Sequence, residues 1–249
     1  MKIALVGPTG LIGSKVLLEA SRRGHSITAI CRNPERVPPL AGVTSYKANI
    51  LDRWQAEAGF AGHDVVVSCF NSGHHPEPGQ NVYMDIIDGA VSIIQATKAS
   101  GVNRLIFVGG ASALYVAPGK QLLDIIPAFA RGEVKGSNFP SDVSSKMPPE
   151  FALWKDVLPA EAGSDHIRPL VHVLMFLEHD RTFDWSFFSP PAGLHPGPRK
   201  GSYVLGTNQV PMKGDKFAGL SIEDAAIALV DEIEKKARNR QHWTAYSPG

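Results

Sequence analysis

Apolar positions over the first 110 residues fall into two alternating patterns. Short runs rich in Val and Ile at 2–6, 26–31, 64–69 and 104–108, with a weaker one at 44–47, have the length and β-branched content of buried strands. Longer stretches between them carry helical spacing. Leu11 to Arg23 sets Ile12, Val16, Leu17 and Ala20 on one face and stops at Gly24. Val82 to Ser100 predicts a second helix, with Asn81 as its N-cap and Gly101 beyond its end. Strand and helix in alternation predict βαβ units and a parallel sheet.

Beyond Val108 the pattern changes. Leu114 to Glu161 is rich in proline and glycine, mixes charges and holds only short periodic pieces, so it reads as an irregular excursion. Periodicity returns in an amphipathic run from about Asp165 to His179, an aromatic strand Trp185 to Ser189, and a late helix Ser221 to Arg238. Ser221 suits the N-cap of that helix, and Glu223 and Asp224 place negative charge at the positive end of its dipole. The expected fold is α/β, a Rossmann-like doubly wound parallel sheet with helices on both faces. The expected organisation is one domain over 1–249, containing the excursion at 115–163 and a small substrate-side region at 186–220.

Composition narrows the function. The chain has 249 residues with 25 Lys+Arg against 24 Asp+Glu, so no electrostatic footprint favours a nucleic-acid partner. The longest apolar stretch, 105–118, is broken by Gly109, Gly110 and Pro118 and falls short of the roughly 20 residues a membrane span needs, so no membrane partner is expected. The apolar start from Ile3 to Val6 is too short for a signal peptide, which predicts a cytoplasmic protein. Two cysteines, Cys31 and Cys69, make no disulfide framework and read as small buried residues. Adjacent His74 and His75 lack a third ligand at set spacing, so no metal is assigned.

The sharpest chemical signal is Val6-Gly7-Pro8-Thr9-Gly10-Leu11-Ile12-Gly13, a strand that ends in a glycine-spaced turn and opens a helix. Such a turn cradles a dinucleotide pyrophosphate. Gly7 permits the tight turn, Gly10 lets backbone approach the anion, Gly13 lets helix pack on strand, and Thr9, Leu11 and Ile12 complete the loop against the free N–H groups of the helix. At the end of the second strand, a NAD-type site places a carboxylate on the ribose 2′-hydroxyl. This chain has Arg32 and Asn33 there, which favours NADP(H) over NAD(H). Ligands lie at the carboxyl ends of parallel strands, so Asn49 and Ile50 after the third, and Ser68, Cys69 and Phe70 after the fourth, are expected to border adenine and ribose. After the fifth strand, Gly109 and Gly110 leave room for a nicotinamide, and Ser112 is a candidate to bond it or the substrate.

Taken together, Gly7 to Gly13, Arg32-Asn33-Pro34, Gly109 to Ser112, Trp185 to Pro191 and Ser221 to Ala226 resemble an atypical short-chain dehydrogenase/reductase, with Pro8 where the family usually has Ala. The branch most resembled is that of NAD(P)H-flavin reductases and biliverdin reductase B-like proteins, itself similar to NmrA-like proteins. The resemblance spans most of the chain in order. It implies an NADP-binding domain with a small C-terminal substrate region, and it puts Ser189-Pro190-Pro191, hence Pro190, beside the nicotinamide.

Better-known members of that superfamily use a Tyr-x-x-x-Lys pair to move a proton. No tyrosine here has Lys four positions on, and Tyr115 with Lys120 misses by one. That leaves a reductase of flavin-, quinone- or tetrapyrrole-like planar acceptors, in which cofactor and acceptor carry the chemistry. His166, in a run similar to one in flavin and biliverdin reductases, titrates in a useful range and is the candidate proton donor beside Ser112. Phe151, Trp154, Trp185, Phe187 and Phe188 are candidates for an apolar acceptor pocket, some of them as plain core. The helix from Val82 offers a surface for a homodimer. The alternative is a non-catalytic NADP(H) sensor of the NmrA-like kind.

Overall fold

The computed structural model describes residues 1–72, 79–124, 163–214 and 216–248, with the backbone alone for 163–166. Its centre is an eight-stranded sheet: β1 (Lys2–Val6), β2 (Ser26–Cys31), β3 (Val43–Lys47), β4 (Val65–Ser68), β5 (Arg104–Val108), β6 (Asp184–Phe188), β7 (Val204–Gly206) and β8 (Gln241–Tyr246). Across the sheet the order is β3-β2-β1-β4-β5-β6-β8-β7. All neighbours run parallel except β7, which lies antiparallel on β8. This is the doubly wound arrangement, with its reversal of strand order between β2 and β4 on either side of β1.

Helices cover both faces. On one, α1 (Gly13–Arg22) and α5 (Ile222–Lys235) bury Leu17 and Leu229 against Ile3, Leu5 and Trp243. On the other, α2 (Arg53–Phe60), α3 (Val82–Ala99) and α4 (Gly163–His179) bury Phe60, Ile93 and Leu174 against Ala4, Phe107 and Phe187. Because β1, β4 and β5 are covered on both sides, their residues are apolar without alternation. The Phe107 and Phe187 rings stack across β5 and β6 with centroids 5.9 Å apart. No helix among the described residues is long and apolar enough to cross a membrane.

Several boundaries move. α1 begins at Gly13, two residues after Leu11, because Gly10 to Ile12 form the turn. α5 stops at Lys235, where Lys236 takes a left-handed conformation with φ of 50°. Asn81 and Ser221 do cap their helices, accepting from the N–H groups of Met84 and Asp224. Of the excursion, the described part is a short antiparallel pair, Tyr115–Ala117 with Lys120–Gln121; residues 125–162 lie outside the described set, as do His74, His75, Phe151 and Trp154. α2, β7 and β8 come from no sequence expectation.

His242, on β8, packs against Phe187 with the two rings nearly perpendicular and centroids 5.4 Å apart, and burial pushes its imidazole down to about 4. The unfolded chain takes up that proton near pH 6.5, and the native state only near 4. The neutral ring's contribution is therefore full above 6.5 and is lost as pH falls toward 4. Urea midpoints are expected to drop over that window, with a limiting slope of about 1.4 kcal/mol per pH unit from this group. His242→Gln should remove that component of the slope.

Candidate functional site

A cleft of about 450 Å³ crosses the carboxyl ends of β1, β2, β4 and β5. Its floor is the turn after β1. Gly7 has φ of +74°, and a Cβ there would sit 2.6 Å from the Cys69 carbonyl oxygen, so only glycine lets this turn pass the end of β4. A Cβ on Gly13 would lie 2.0 Å from the Gly7 carbonyl oxygen, which fixes Gly13 as the contact between helix and strand. Gly10 differs: its added Cβ meets only the Gly7 oxygen, at 3.4 Å, and otherwise points to open space.

Whether this cradle suits an anion can be read from the caps. Asp52, Asn81 and Ser221 each close a helix start with a side chain. α1 has no side-chain cap at Ile12 and no acidic residue in its first turn. The N–H groups of Leu11 and Ile12 make no backbone hydrogen bond among the described residues, and both residues line the cleft. An uncapped helix start, with the positive end of its dipole in a cleft, fits a pyrophosphate.

The wall at the end of β2 holds Arg32, Asn33 and Arg36. Both guanidiniums are exposed, and neither has a carboxylate within ion-pair distance among the described residues. Asn49, Ile50 and Leu51 follow from β3, with the Asn49 side chain accepting from the Leu51 N–H at 3.2 Å. Cys69, Phe70, Asn71 and Ser72 follow from β4. Cys31 and Cys69 both line the cleft as free thiols; burial raises both, Cys69 to about 12, so neither is a ready nucleophile. The remaining wall is Gln80 and Asp85 around the start of α3, Val108 and Gly109 after β5, and Leu170 of α4. Gln80 donates to Asp85 at 2.6 Å, and the Ser72 hydroxyl is buried without a hydrogen-bond partner among the described residues.

Twelve expected binding positions thus share one cleft: Gly7, Thr9, Gly10, Leu11, Ile12, Arg32, Asn33, Asn49, Ile50, Cys69, Phe70 and Gly109. Others do not line it. Gly13 lies beneath the turn, and Ser68 is buried with its hydroxyl accepting from the Phe70 N–H at 3.4 Å. Gly110 packs against Leu170, and Pro190 is buried beyond the end of β6. Ser112 is also turned away: its buried hydroxyl donates to the Ile167 carbonyl at 3.1 Å and ties the turn after β5 to α4. That bond is the structural use open to any loop serine. His166 lies on α4, where its side chain is outside the described set. Trp185, Phe187 and Phe188 belong to the two cores.

Arg36, Ser72, Gln80 and Asp85 are cleft residues that the sequence reading missed. Arg36 had a signal, since Pro34–Arg36 forms a single helical turn that brings it back toward Arg32. Asp85 lies in the first turn of the predicted helix with nothing in the pattern to mark it, and Ser72 and Gln80 have no periodicity to place them.

Residues 7–130 match a family model described as NAD(P)H-binding. The uncharacterized protein YwnB of Bacillus subtilis strain 168 is 29% identical over 253 residues, covering 99% of each chain. A solved protein from Burkholderia pseudomallei, provisionally described as exported, is 32% identical with a TM-score of 0.73 over 99% of both chains. Another from Bacteroides thetaiotaomicron, provisionally named an epimerase, is 28% identical with a TM-score of 0.77, over 100% of this chain and 97% of that one. With the strand order, the glycine turn and the NAD(P)H-binding match in agreement, residues 7–130 form the NAD(P)H-binding part of a Rossmann-like fold.

Proposed function

We infer that the protein is an NADPH-dependent oxidoreductase that passes hydride to a flavin-, quinone- or tetrapyrrole-like acceptor. The observation that carries the reading is the cleft itself, an uncapped helix start at its floor and two exposed arginines, Arg32 and Arg36, at its β2 end. When bound, the reduced nicotinamide supplies the hydride. The chain's own part is to bind and orient. The turn from Gly7 to Ile12 takes the pyrophosphate, and Arg32 and Arg36 pair with a 2′-phosphate through planar guanidinium forks. Phe70 and Leu170 give apolar walls, and Ser72, Gln80 and Asp85 offer the polar groups that orient an acceptor.

Acceptor class follows from what the wall holds. Among the described residues no tyrosine lines the cleft, and Ser112 is committed to Ile167. A conjugated acceptor, whose reduced form is protonated by water, asks least of such a site.

The test is rapid-mixing absorbance of NADPH, then NADH, with the protein and a panel of flavins, quinones and tetrapyrroles. Saturable oxidation with one acceptor class is expected. Tight binding without turnover over the whole panel would replace the reductase with a redox-sensing regulator. A separate expectation concerns the cofactor: Arg32→Ala should lower the ratio of NADPH to NADH affinity roughly tenfold, and Arg32→Ala with Arg36→Ala should erase it. Fluorescence titration of both cofactors reads the ratio directly; an unchanged ratio in the double variant would remove the 2′-phosphate assignment.

A further inference from the structure

A second cavity, of about 470 Å³, lies where β6 and β8 begin, at the end of those strands opposite to the one the dinucleotide cleft occupies. Its wall includes Glu178 in the last turn of α4, Arg181 just beyond it, Trp185 of β6, Arg238 and Arg240 from the loop between α5 and β8, and His242 of β8. α4 separates the two sites. Leu170 reaches the cleft and Glu178 this cavity, eight positions or about 12 Å apart along the helix axis.

Three guanidiniums face one carboxylate. None of the three has a carboxylate within ion-pair distance among the described residues, whereas Arg23 and Arg104 are each paired with acids. Arg181 and Arg240 are exposed, and a bound anion would supply the close counter-charge that the three lack. Two of the guanidiniums are also held in place. Arg238 lies over the Trp243 ring at 5.1 Å, and Arg240 donates from Nη1 to the Arg181 carbonyl at 3.3 Å.

The backbone adds a second, independent observation. Arg240 has φ of 51°, a left-handed conformation that arginine rarely adopts and that Asn or Gly would take at less cost. It is pinned there by its N–H, which donates to the Trp185 carbonyl at 2.6 Å. Strain of this kind gathers at functional sites. A third observation is His242, whose Nε2 meets the Ser189 hydroxyl at 2.9 Å while its Nδ1 is buried with no partner among the described residues.

We propose that this cavity is a second ligand site, separate from the dinucleotide cleft, for a small anion carrying two or more carboxylate or phosphate groups. Planar guanidinium forks match both groups bidentately. Glu178 sets an upper limit on affinity, because its own charge opposes the ligand.

Isothermal titration of the full chain at pH 8 and low ionic strength tests this, with citrate and pyrophosphate as probes, each with and without saturating NADP⁺. One equivalent of at least one probe is expected to bind with NADP⁺ present. Arg181→Gln combined with Arg240→Asn, where Asn keeps the left-handed backbone, should weaken it at least tenfold, and Arg32→Ala should leave it unchanged. Glu178→Gln should tighten binding about threefold, a gain that misfolding cannot imitate. Preference between the probes separates a carboxylate from a phosphate ligand. Absence of saturable binding, competition by NADP⁺, loss in Arg32→Ala, or indifference to all the cavity variants would each overturn the proposal.

Discussion

Gly10→Asp is expected to abolish nicotinamide cofactor binding and leave the protein folded. The two halves of that statement have separate grounds. A Cβ at position 10 approaches only the Gly7 carbonyl oxygen, at 3.4 Å, and the backbone there is not in the left-handed region, so the substitution meets no serious clash. The carboxylate then stands at a helix start without a side-chain cap, where it can accept from the free N–H groups itself and brings negative charge to the place of the pyrophosphate. Like-charge juxtaposition of this kind costs several kcal/mol, so an affinity loss on the order of 100-fold or more is expected. Gly13→Ala makes the contrast: its Cβ would lie 2.0 Å from backbone oxygen, so it should lower the melting temperature as well as binding. Circular dichroism melting and NADPH fluorescence titration of the two variants separate the effects. A Gly10→Asp protein that binds NADPH normally would place the pyrophosphate somewhere other than the floor of this cleft.

The same turn shows how far sequence carries. β1 and β5 are apolar without alternation because both faces of the sheet are covered, and the bounds of β1, β2 and β5 are legible to the residue. Leu11 and Ile12 keep helical spacing yet sit in the turn, with Leu11 63% exposed at the cleft. Periodicity cannot tell an apolar residue held for a ligand from one held for the core. α2 escaped because only Ala56, Gly59 and Phe60 turn inward and Trp54 is exposed. β8 escaped for the opposite reason: Trp243, Thr244 and Ala245 are buried in succession, so no alternation marks the strand, and Thr244 and His242 make it too polar for a buried run. Ser112 shows the limit most plainly. Its position at the end of β5 was readable, but the carbonyl that claims its hydroxyl comes from Ile167, 55 residues on, in a helix whose packing no local pattern gives.

Glu232→Ala is expected to cost about 3–5 kcal/mol, a large share of the roughly 5–15 kcal/mol that holds a domain folded. Glu232, in the last turn of α5, pairs with Arg104 at the start of β5, and both side chains are almost wholly buried. The same carboxylate accepts from the Arg238 N–H at 2.9 Å, so it also fixes the loop that leads into β8. Loss of the acid leaves the Arg104 guanidinium buried without a counter-charge, with its Nε already unpartnered among the described residues. The cost therefore comes from desolvation and not from the worth of the pair. If that is the mechanism, replacing both partners should be far milder than replacing one: Arg104→Met with Glu232→Leu is expected to recover at least half of the loss. Urea denaturation of the two single variants and the double variant reads this as a coupling energy. A Glu232→Ala protein within about 1 kcal/mol of the parent would mean that water reaches Arg104. A double variant no better than the single would instead make the Arg238 hydrogen bond, not the stranded cation, the principal cost, and so tie the stability of the fold to the loop that shapes the second cavity.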